Sequence, residues 1–173
     1  MTNALDEAVV PFSEPSVRFR RADSSDRAAL LALCAAYRRA DDQPQASALV
    51  ARAIDAALAG DALISLFMIE LLEESEQPSE HAALLVGYVA VSLGFSIEAG
   101  GRDAFVDELY IEPRVQRRGL GKRALGFAAE LCRELGVQRI CLEVERKNDG
   151  AKRLYERLGF REHGRYLLSR RLD

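Results

Sequence analysis

Histidine and cysteine are scarce in this 173-residue chain, which has two of the first and three of the second. His81 and His163 stand alone, and Cys34, Cys132 and Cys141 lack the close spacings that mark a zinc site or a redox pair. No metal site is expected, and the three scattered cysteines read as reduced fillers of the interior. No apolar run reaches the roughly 18 residues that a membrane-spanning helix needs. The opening MTNALDEAVVPFSEP is acidic where a secretory signal would be basic, so a cytoplasmic, membrane-free protein is expected. Neither GxxxxGK followed by Ser or Thr nor GxGxxG occurs, which weakens nucleoside triphosphate and dinucleotide readings. No internal repeat appears.

Apolar residues make up 49% of the chain, enough for a sizeable core without disulfides. The formal charge of −3 conceals an uneven distribution. Residues 1 to 112 carry 8 basic and 19 acidic side chains, a balance of −11, whereas 113 to 173 carry 16 and 8, a balance of +8. The basic residues are not interleaved with surface aromatics and fall on amphipathic helices, so nucleic acid is not the expected partner. A phosphate-bearing small molecule suits them better, and the acidic half would suit a cationic amine.

Residues 1 to 15, with Pro11 and Pro15, read as a flexible leader, and residues 16 to 173 as one domain. SVRFRRA (16 to 22) alternates as a half-buried strand does. Asp23 and Ser24 can cap a helix through about Arg39, with Leu30, Leu31, Leu33, Cys34 and Tyr37 as its apolar stripe. Pro44 starts a second helix that ends at Gly60. ALISLFMIELL (62 to 72) and AALLVGYVAVSLGFS (82 to 96) read as a long hairpin around the acidic turn EESEQPSE, although the first run also fits a helix. AFVDELYI (104 to 111) is a further strand closed by Pro113, and a helix runs from about Gly119 to Leu135. RICLEVE (139 to 145) alternates as a strand, Asn148 caps a helix ended by Gly159, and RYLLSRRL reads as a last strand. Tyr37, Phe67, Tyr88, Phe95 and Phe105 are candidates to line an acceptor site, but they lie on apolar segments and read first as core.

QRRGLGK sits where a strand turns into a helix. A helix start offers about four unpaired backbone amides and a positive dipole end, a natural seat for an anion. Gly119 and Gly121 leave the backbone open to close approach, and Arg117, Arg118 and Lys122 add positive potential.

LYIEPRVQRRGLGKRAL, followed by LEVERKNDGAKRLYERLGF, resembles the signature of the GNAT superfamily of acetyl-coenzyme-A-dependent N-acetyltransferases. Its two blocks are a Q/R-x-x-G-x-G/A loop before a helix and N-x-x-A-x-x-x-Y-x-x-x-G-F after the next strand. The match covers about residues 104 to 161. The resemblance implies an α/β fold: a mixed, mostly antiparallel central sheet with a splayed parallel strand pair, flanked by about four helices. It implies that the backbone amides of Gln116, Arg117, Arg118, Gly119, Leu120, Gly121 and Lys122 hold the coenzyme pyrophosphate. It implies further that Leu109, Tyr110 and Ile111 pair with the pantetheine arm and the thioester.

Asn148, Ala151 and Tyr155 share one helix face by their spacing. The resemblance makes Asn148 a pantetheine contact, sets Ala151 beside it, and directs the Tyr155 hydroxyl at the sulfur as general acid. Asp107 and Glu108 are consecutive on a strand, so alternation sends one of them to the substrate face. Glu108 is the candidate base by the same resemblance. The expected reaction is direct acetyl transfer to a primary amine, a small cation by the charge argument. A non-catalytic acyl-coenzyme-A sensor, or an acetyltransferase for protein lysines or N-termini, is the alternative. A homodimer is compatible with the family, and no sequence feature selects it.

Overall fold

The computed structural model describes residues 16–40, 47–72, 83–170 and 172. The expected leader at 1–15, the helix start at Pro44, the acidic turn EESEQPSE and His81 lie outside these residues. The elements in chain order are β1 (Ser16–Arg21), α1 (Arg27–Ala40), α2 (Ser47–Leu58), β2 (Ile64–Leu72), β3 (Ala83–Ser96) and β4 (Gly101–Ile111). They continue with α3 (Leu120–Glu134), β5 (Arg139–Leu142) and α4 (Asp149–Arg157). One five-stranded sheet has the order β1-β2-β3-β4-β5, antiparallel except for the parallel pair β4 and β5.

The sheet is covered on both faces. On one, Leu30, Leu33 and Cys34 of α1 and Ile54 of α2 pack on Met68, Tyr88 and Tyr110. On the other, Leu125, Ala128 and Cys132 of α3 pack on Val89, Val91 and Val106. Leu30 and Met68 are fully buried, and burial of such a side chain contributes about 1.5–3 kcal/mol. Residues 64 to 72 are a strand and not a helix. Their side chains are buried on both faces of the sheet, which explains the apolar run without clear alternation. Before α1 the chain makes a 3₁₀ turn at Ser24–Asp26, capped by Asp23, which accepts from the Ser25 amide at 2.8 Å.

Buried charge ties β1 to the turn after it. Arg20 donates to both carboxylate oxygens of Asp26 (2.6 and 2.7 Å) and to Glu70 on β2 (2.7 Å), and Arg18 reaches the other oxygen of Glu70 at 2.7 Å. Asp26 and Glu70 are only 6% and 5% exposed.

Gly87 marks a close approach of two backbones. A Cβ built there would stand 2.2 Å from the Tyr110 carbonyl oxygen on β4. Gly87→Ala must therefore push β3 and β4 apart, at an expected cost of about 1–3 kcal/mol, read as a lowered midpoint in urea unfolding.

Several expected boundaries move. β4 begins at Gly101, because the turn before it is completed at Gly100, whose φ of +77° suits glycine. The strand expected over 139 to 145 stops at Leu142, and the described residues of RYLLSRRL, 165–170 and 172, form no strand. β5 ends early because β4 carries a bulge: Ala90 faces Glu108 and Val91 faces Val106, leaving Asp107 extra. A bulge bends its strand and strengthens its twist, and parallel pairing with β5 ends at that point, at Val106 and Leu142. Of the aromatics expected in the core, Phe67 and Tyr88 are buried, whereas Phe95 is 76% exposed at the far end of β3. Cys34 and Cys132 are buried and Cys141 is half-buried at the sheet edge.

Candidate active site

Beyond the bulge, β4 continues to Ile111 while β5 has already left the sheet. The β5-facing side of β4 from Asp107 onward thus has no strand partner among the described residues. Backbone groups in such a gap need a partner. A cleft of about 120 Å³ opens here, walled by Asp107 and Leu109 of β4, Glu143 beyond β5, Tyr37 of α1, and Asn148 and Tyr155 of α4. The splayed pair expected of the strand ending Leu109-Tyr110-Ile111 is therefore present. Leu109 faces the cleft and Tyr110 and Ile111 are buried in the two core layers.

Past Ile111 a short 3₁₀ turn, Pro113–Val115, leads into the glycine loop. Gly119 is the N-cap of α3 with φ +79°, a left-handed conformation that a Cβ would strain, and nothing lies within 4 Å of that Cβ position. Arg117 also has positive φ, at +63°, alone among the described non-glycine residues. Such an outlier costs of order 1 kcal/mol and clusters at ligand clamps. At Gly121 the packing does not demand a glycine: a Cβ there would make only ordinary contact with Leu154 of α4 and Ile111, at 3.4 and 3.9 Å. Leu120, only 2% exposed, anchors the helix start in the core.

Gln116 differs from its neighbours. Its amide donates to the Pro113 carbonyl at 3.3 Å, and its side-chain Nε2 donates to the Ile111 carbonyl at 2.8 Å. It ties the loop to the end of β4, and the row of open amides runs from Arg117 to Lys122. First-turn amides of a helix have no partner within it. Arg117, Arg118 and Lys122 are exposed around this row and form no ion pair among the described residues.

At the N-cap of α4, the Asn148 Oδ1 accepts from the Ala151 amide at 3.1 Å, and its Nδ2 donor has no hydrogen bond among the described residues. Ala151 thereby spends its amide on the cap, and its side chain is half-buried. Tyr155 packs its ring against Phe160, with centroids 6.0 Å apart. Burial raises its hydroxyl above the ordinary phenol range, so at neutral pH it is protonated and a donor.

Glu108 stands apart from the cleft wall. Its carboxylate accepts from the Tyr88 hydroxyl at 2.6 Å and from Arg38 Nη2 at 3.0 Å, with the Cys34 thiol 3.8 Å away. Burial pushes the Cys34 thiol up to about 11 and, with the Glu108 charge added, raises the Tyr88 phenol further, so both act as neutral donors. Simple alternation assumed that Asp107 and Glu108 sit in a regular strand. The bulge places Asp107 in the cleft, with neither a hydrogen bond nor an ion pair among the described residues. Glu143 is a cleft carboxylate in the same condition, and sequence reasoning missed it. Its orientation depends on where β5 leaves the sheet, which no pattern within RICLEVE encodes.

The chain matches the profile of the acetyltransferase (GNAT) family over residues 30–160. A 61-residue stretch is 41% identical to mycothiol acetyltransferase of Beutenbergia cavernae, covering 34% of this chain and 20% of that protein. Over 62 residues it is 34% identical to a putative ribosomal protein bS18 alanine N-acetyltransferase of Bacillus subtilis, covering 36% of this chain and 41% of that protein. The chain thus aligns with less than half the length of either curated relative. Among solved structures, an integron cassette protein from the mobile metagenome of Cole Harbour salt marsh is 30% identical, with TM-score 0.71 and 90% of each chain covered. A predicted acetyltransferase with acetyl-CoA from Clostridium acetobutylicum shares the fold at 17% identity, TM-score 0.70, covering 90% of this chain and 96% of that one.

Proposed function

Because the chain belongs to the acetyltransferase (GNAT) family, we propose that it moves an acetyl group from acetyl-coenzyme A to an amine in a ternary complex, without a covalent enzyme intermediate. The observation that carries this reading is that the open edge of β4 and the Tyr155 hydroxyl share one cleft. At its far end β4 runs through Gln116 into the open amides of the α3 start.

In this reading the amides from Arg117 to Lys122 grip the pyrophosphate, and Arg118 and Lys122 add attraction. The backbone groups of β4 that face away from β3 beyond Asp107, short of the Ile111 carbonyl that Gln116 already occupies, and the Nδ2 of Asn148 hold the pantetheine arm and polarise the thioester carbonyl. The amine nitrogen bonds to the carbonyl carbon, the carbon–sulfur bond breaks, and Tyr155 gives its proton to the departing sulfur. Juxtaposition of the two substrates supplies much of the acceleration.

The amine must first lose a proton. Glu108 acts as its base through water, since it lies behind the cleft wall. Glu108→Gln is expected to lower kcat/KM by about 10²-fold or more, the usual contribution of a placed base. A loss below about threefold in that assay rejects the role, and the cleft-facing carboxylates Asp107 and Glu143 inherit it.

Asp107, Glu143 and Glu145 give the cleft a negative wall, which supports a small cationic acceptor. The likeness to the putative bS18 alanine N-acetyltransferase favours a second reading, a protein N-terminus. Thiol release from acetyl-coenzyme A, followed across a panel of polyamines, amino acids and alanine-initiated peptides, separates the two. No release with any amine, despite calorimetric binding of acetyl-coenzyme A, leaves the sensor reading in place.

A further inference from the structure

Two buried side-chain nitrogens have no hydrogen-bond acceptor among the described residues, Arg38 Nε on α1 and Arg139 Nε on β5. A buried donor without an acceptor is costly, so each calls for an explanation. Arg139 stands at the far end of the sheet between Asp103 and Glu98, at 3.1 and 3.8 Å, and two carboxylates already answer its charge. Arg38 has a single carboxylate among the described residues, Glu108, which it reaches through Nη2 at 3.0 Å.

Other arginines of the fold show what a guanidinium held for structure alone looks like. Arg27 closes the same fork of Nε and Nη2 on both oxygens of Asp55, at 2.6 and 3.0 Å. Arg20 commits all three nitrogens, Nη1 and Nη2 to Asp26 and Nε to Glu70, so one guanidinium bridges two carboxylates at 2.6 to 2.7 Å. Glu108 does not close the fork of Arg38. Its second oxygen, Oε2, is taken by the Tyr88 hydroxyl at 2.6 Å and faces the Cys34 thiol at 3.8 Å. Arg38 is thus left with spare donors on a rigid planar fork, which suits a further carboxylate.

Its position is beside the cleft. Tyr37, the preceding residue on α1, lines that cleft, as do Asp107 and Leu109 on either side of Glu108. The Arg38 side chain is 26% exposed, so its guanidinium is within reach of a ligand although Nε is shut off from water.

We propose that Arg38 is a specificity-determining residue that takes a carboxylate of the acceptor, so that the substrate is an amine that also bears a carboxylate, an amino acid in the broad sense. The proposal rests on the reading of the cleft as an amine-acetylating site. The ammonium end meets the negative wall of Asp107 and Glu143, and the carboxylate end meets Arg38, which gives a zwitterion two contacts of opposite sign. A polyamine offers the arginine nothing and is repelled by its charge. Turning toward an incoming carboxylate risks one hydrogen bond of Arg38, that to Glu108, and Arg20 shows that a guanidinium can serve two carboxylates at once. A phosphate fits less well, because its second negative charge would stand near Glu108 and the cleft carboxylates.

Thiol release from acetyl-coenzyme A tests this with matched acceptors: alanine, β-alanine, γ-aminobutyrate and lysine, each against its own carboxamide, which keeps the shape and removes the charge. At least one acid is expected to exceed its amide in kcat/KM by about tenfold or more, chiefly through KM, as a hydrogen bond to a charged group provides. Arg38→Gln is expected to bring that ratio to about one, whatever it does to both rates through Glu108. Arg38→Lys, which restores the charge without the fork, is expected to recover part of the preference. Each ratio is read within one variant, so a change in the folded fraction cancels. A wild type that prefers no acid to its amide overturns the proposal. A preference that survives in Arg38→Gln overturns it too, since another residue then reads the carboxylate. Calorimetric titration of the same pairs into the coenzyme A complex reads the site without turnover. If no amine is acetylated and an acid still binds about tenfold more tightly than its amide, the catalytic reading fails and the carboxylate site stands. Equal binding of acid and amide without turnover overturns both.

Discussion

Tyr155→Phe is expected to lower kcat by about 10²-fold to 10⁴-fold, the contribution of a placed general acid, while the dissociation constant of coenzyme A changes little. The substitution removes one oxygen and keeps the ring packed against Phe160, so the fold and the grip of the α3 amides stay as they are. Loss confined to kcat is the signature of an interaction made only in the transition state. Protonating a departing thiolate, whose thiol has a pKa of about 8.5, runs uphill from a phenol of about 10, so the donor works only because it is held within hydrogen-bond reach of the sulfur as the charge develops. Burial raises the Tyr155 hydroxyl, so the donor form persists through neutral pH and is lost only as pH climbs above about 10. Steady-state rates of the variant, paired with calorimetric titration of coenzyme A, check both halves. A variant that retains wild-type kcat would falsify the acid role, and an equal loss of binding and rate would make Tyr155 a binding residue instead.

Arg20→Met carries the largest expected effect on stability, a loss of about 3–5 kcal/mol, because it strands two buried carboxylates without their shared cation. Arg20 holds Asp26 below the usual carboxylate range through its hydrogen bonds, against the opposing effect of burial. For Glu70 burial pushes upward, and Arg20 and Arg18 together outweigh it, leaving a net lowering. Carboxylates depressed in the folded state stabilise it fully above their unfolded value of about 4 and lose that contribution as pH falls through the folded value. The gap between wild type and variant should therefore be widest near pH 7 and close as pH drops below about 4. Urea unfolding at several pH values measures it. A gap that does not vary with pH would mean that lost packing, and not charge, sets the cost. The replacement of Glu70 and Asp26 together with Arg20 by apolar residues of similar volume should recover much of the loss, since the penalty comes from uncompensated charge.

The network was not legible beforehand. SVRFRRA reads as a strand with a wet basic face, and Glu70 sits within an apolar run; nothing local joins a residue at 20 to one at 70. β1 and β2 meet in a register that sets Arg18 opposite Glu70 and brings both to one patch of the sheet. Glu108 follows the same logic. Its partners Cys34, Arg38 and Tyr88 come from α1 and β3, so its environment exists only once α1 lies across the sheet. The split between β4 and β5 is different: the resemblance in the two motif blocks pointed to it, while the bulge at Asp107 that accompanies it had no local signature.

The sequence by itself determined the local parts whose physics is short-range. The N-cap of α4 at Asn148, the left-handed turn at Gly119 before α3, and the helical spacing that brings Asn148 and Tyr155 to one side all depend on a few neighbouring residues. Only the tertiary structure decided which carboxylates face the cleft, which lie buried against arginine, and that residues 165–170 have no strand partner among the described residues. Those outcomes depend on strand register and on where two neighbouring strands part. One extra residue in β4 shifts the alternation for every position after it.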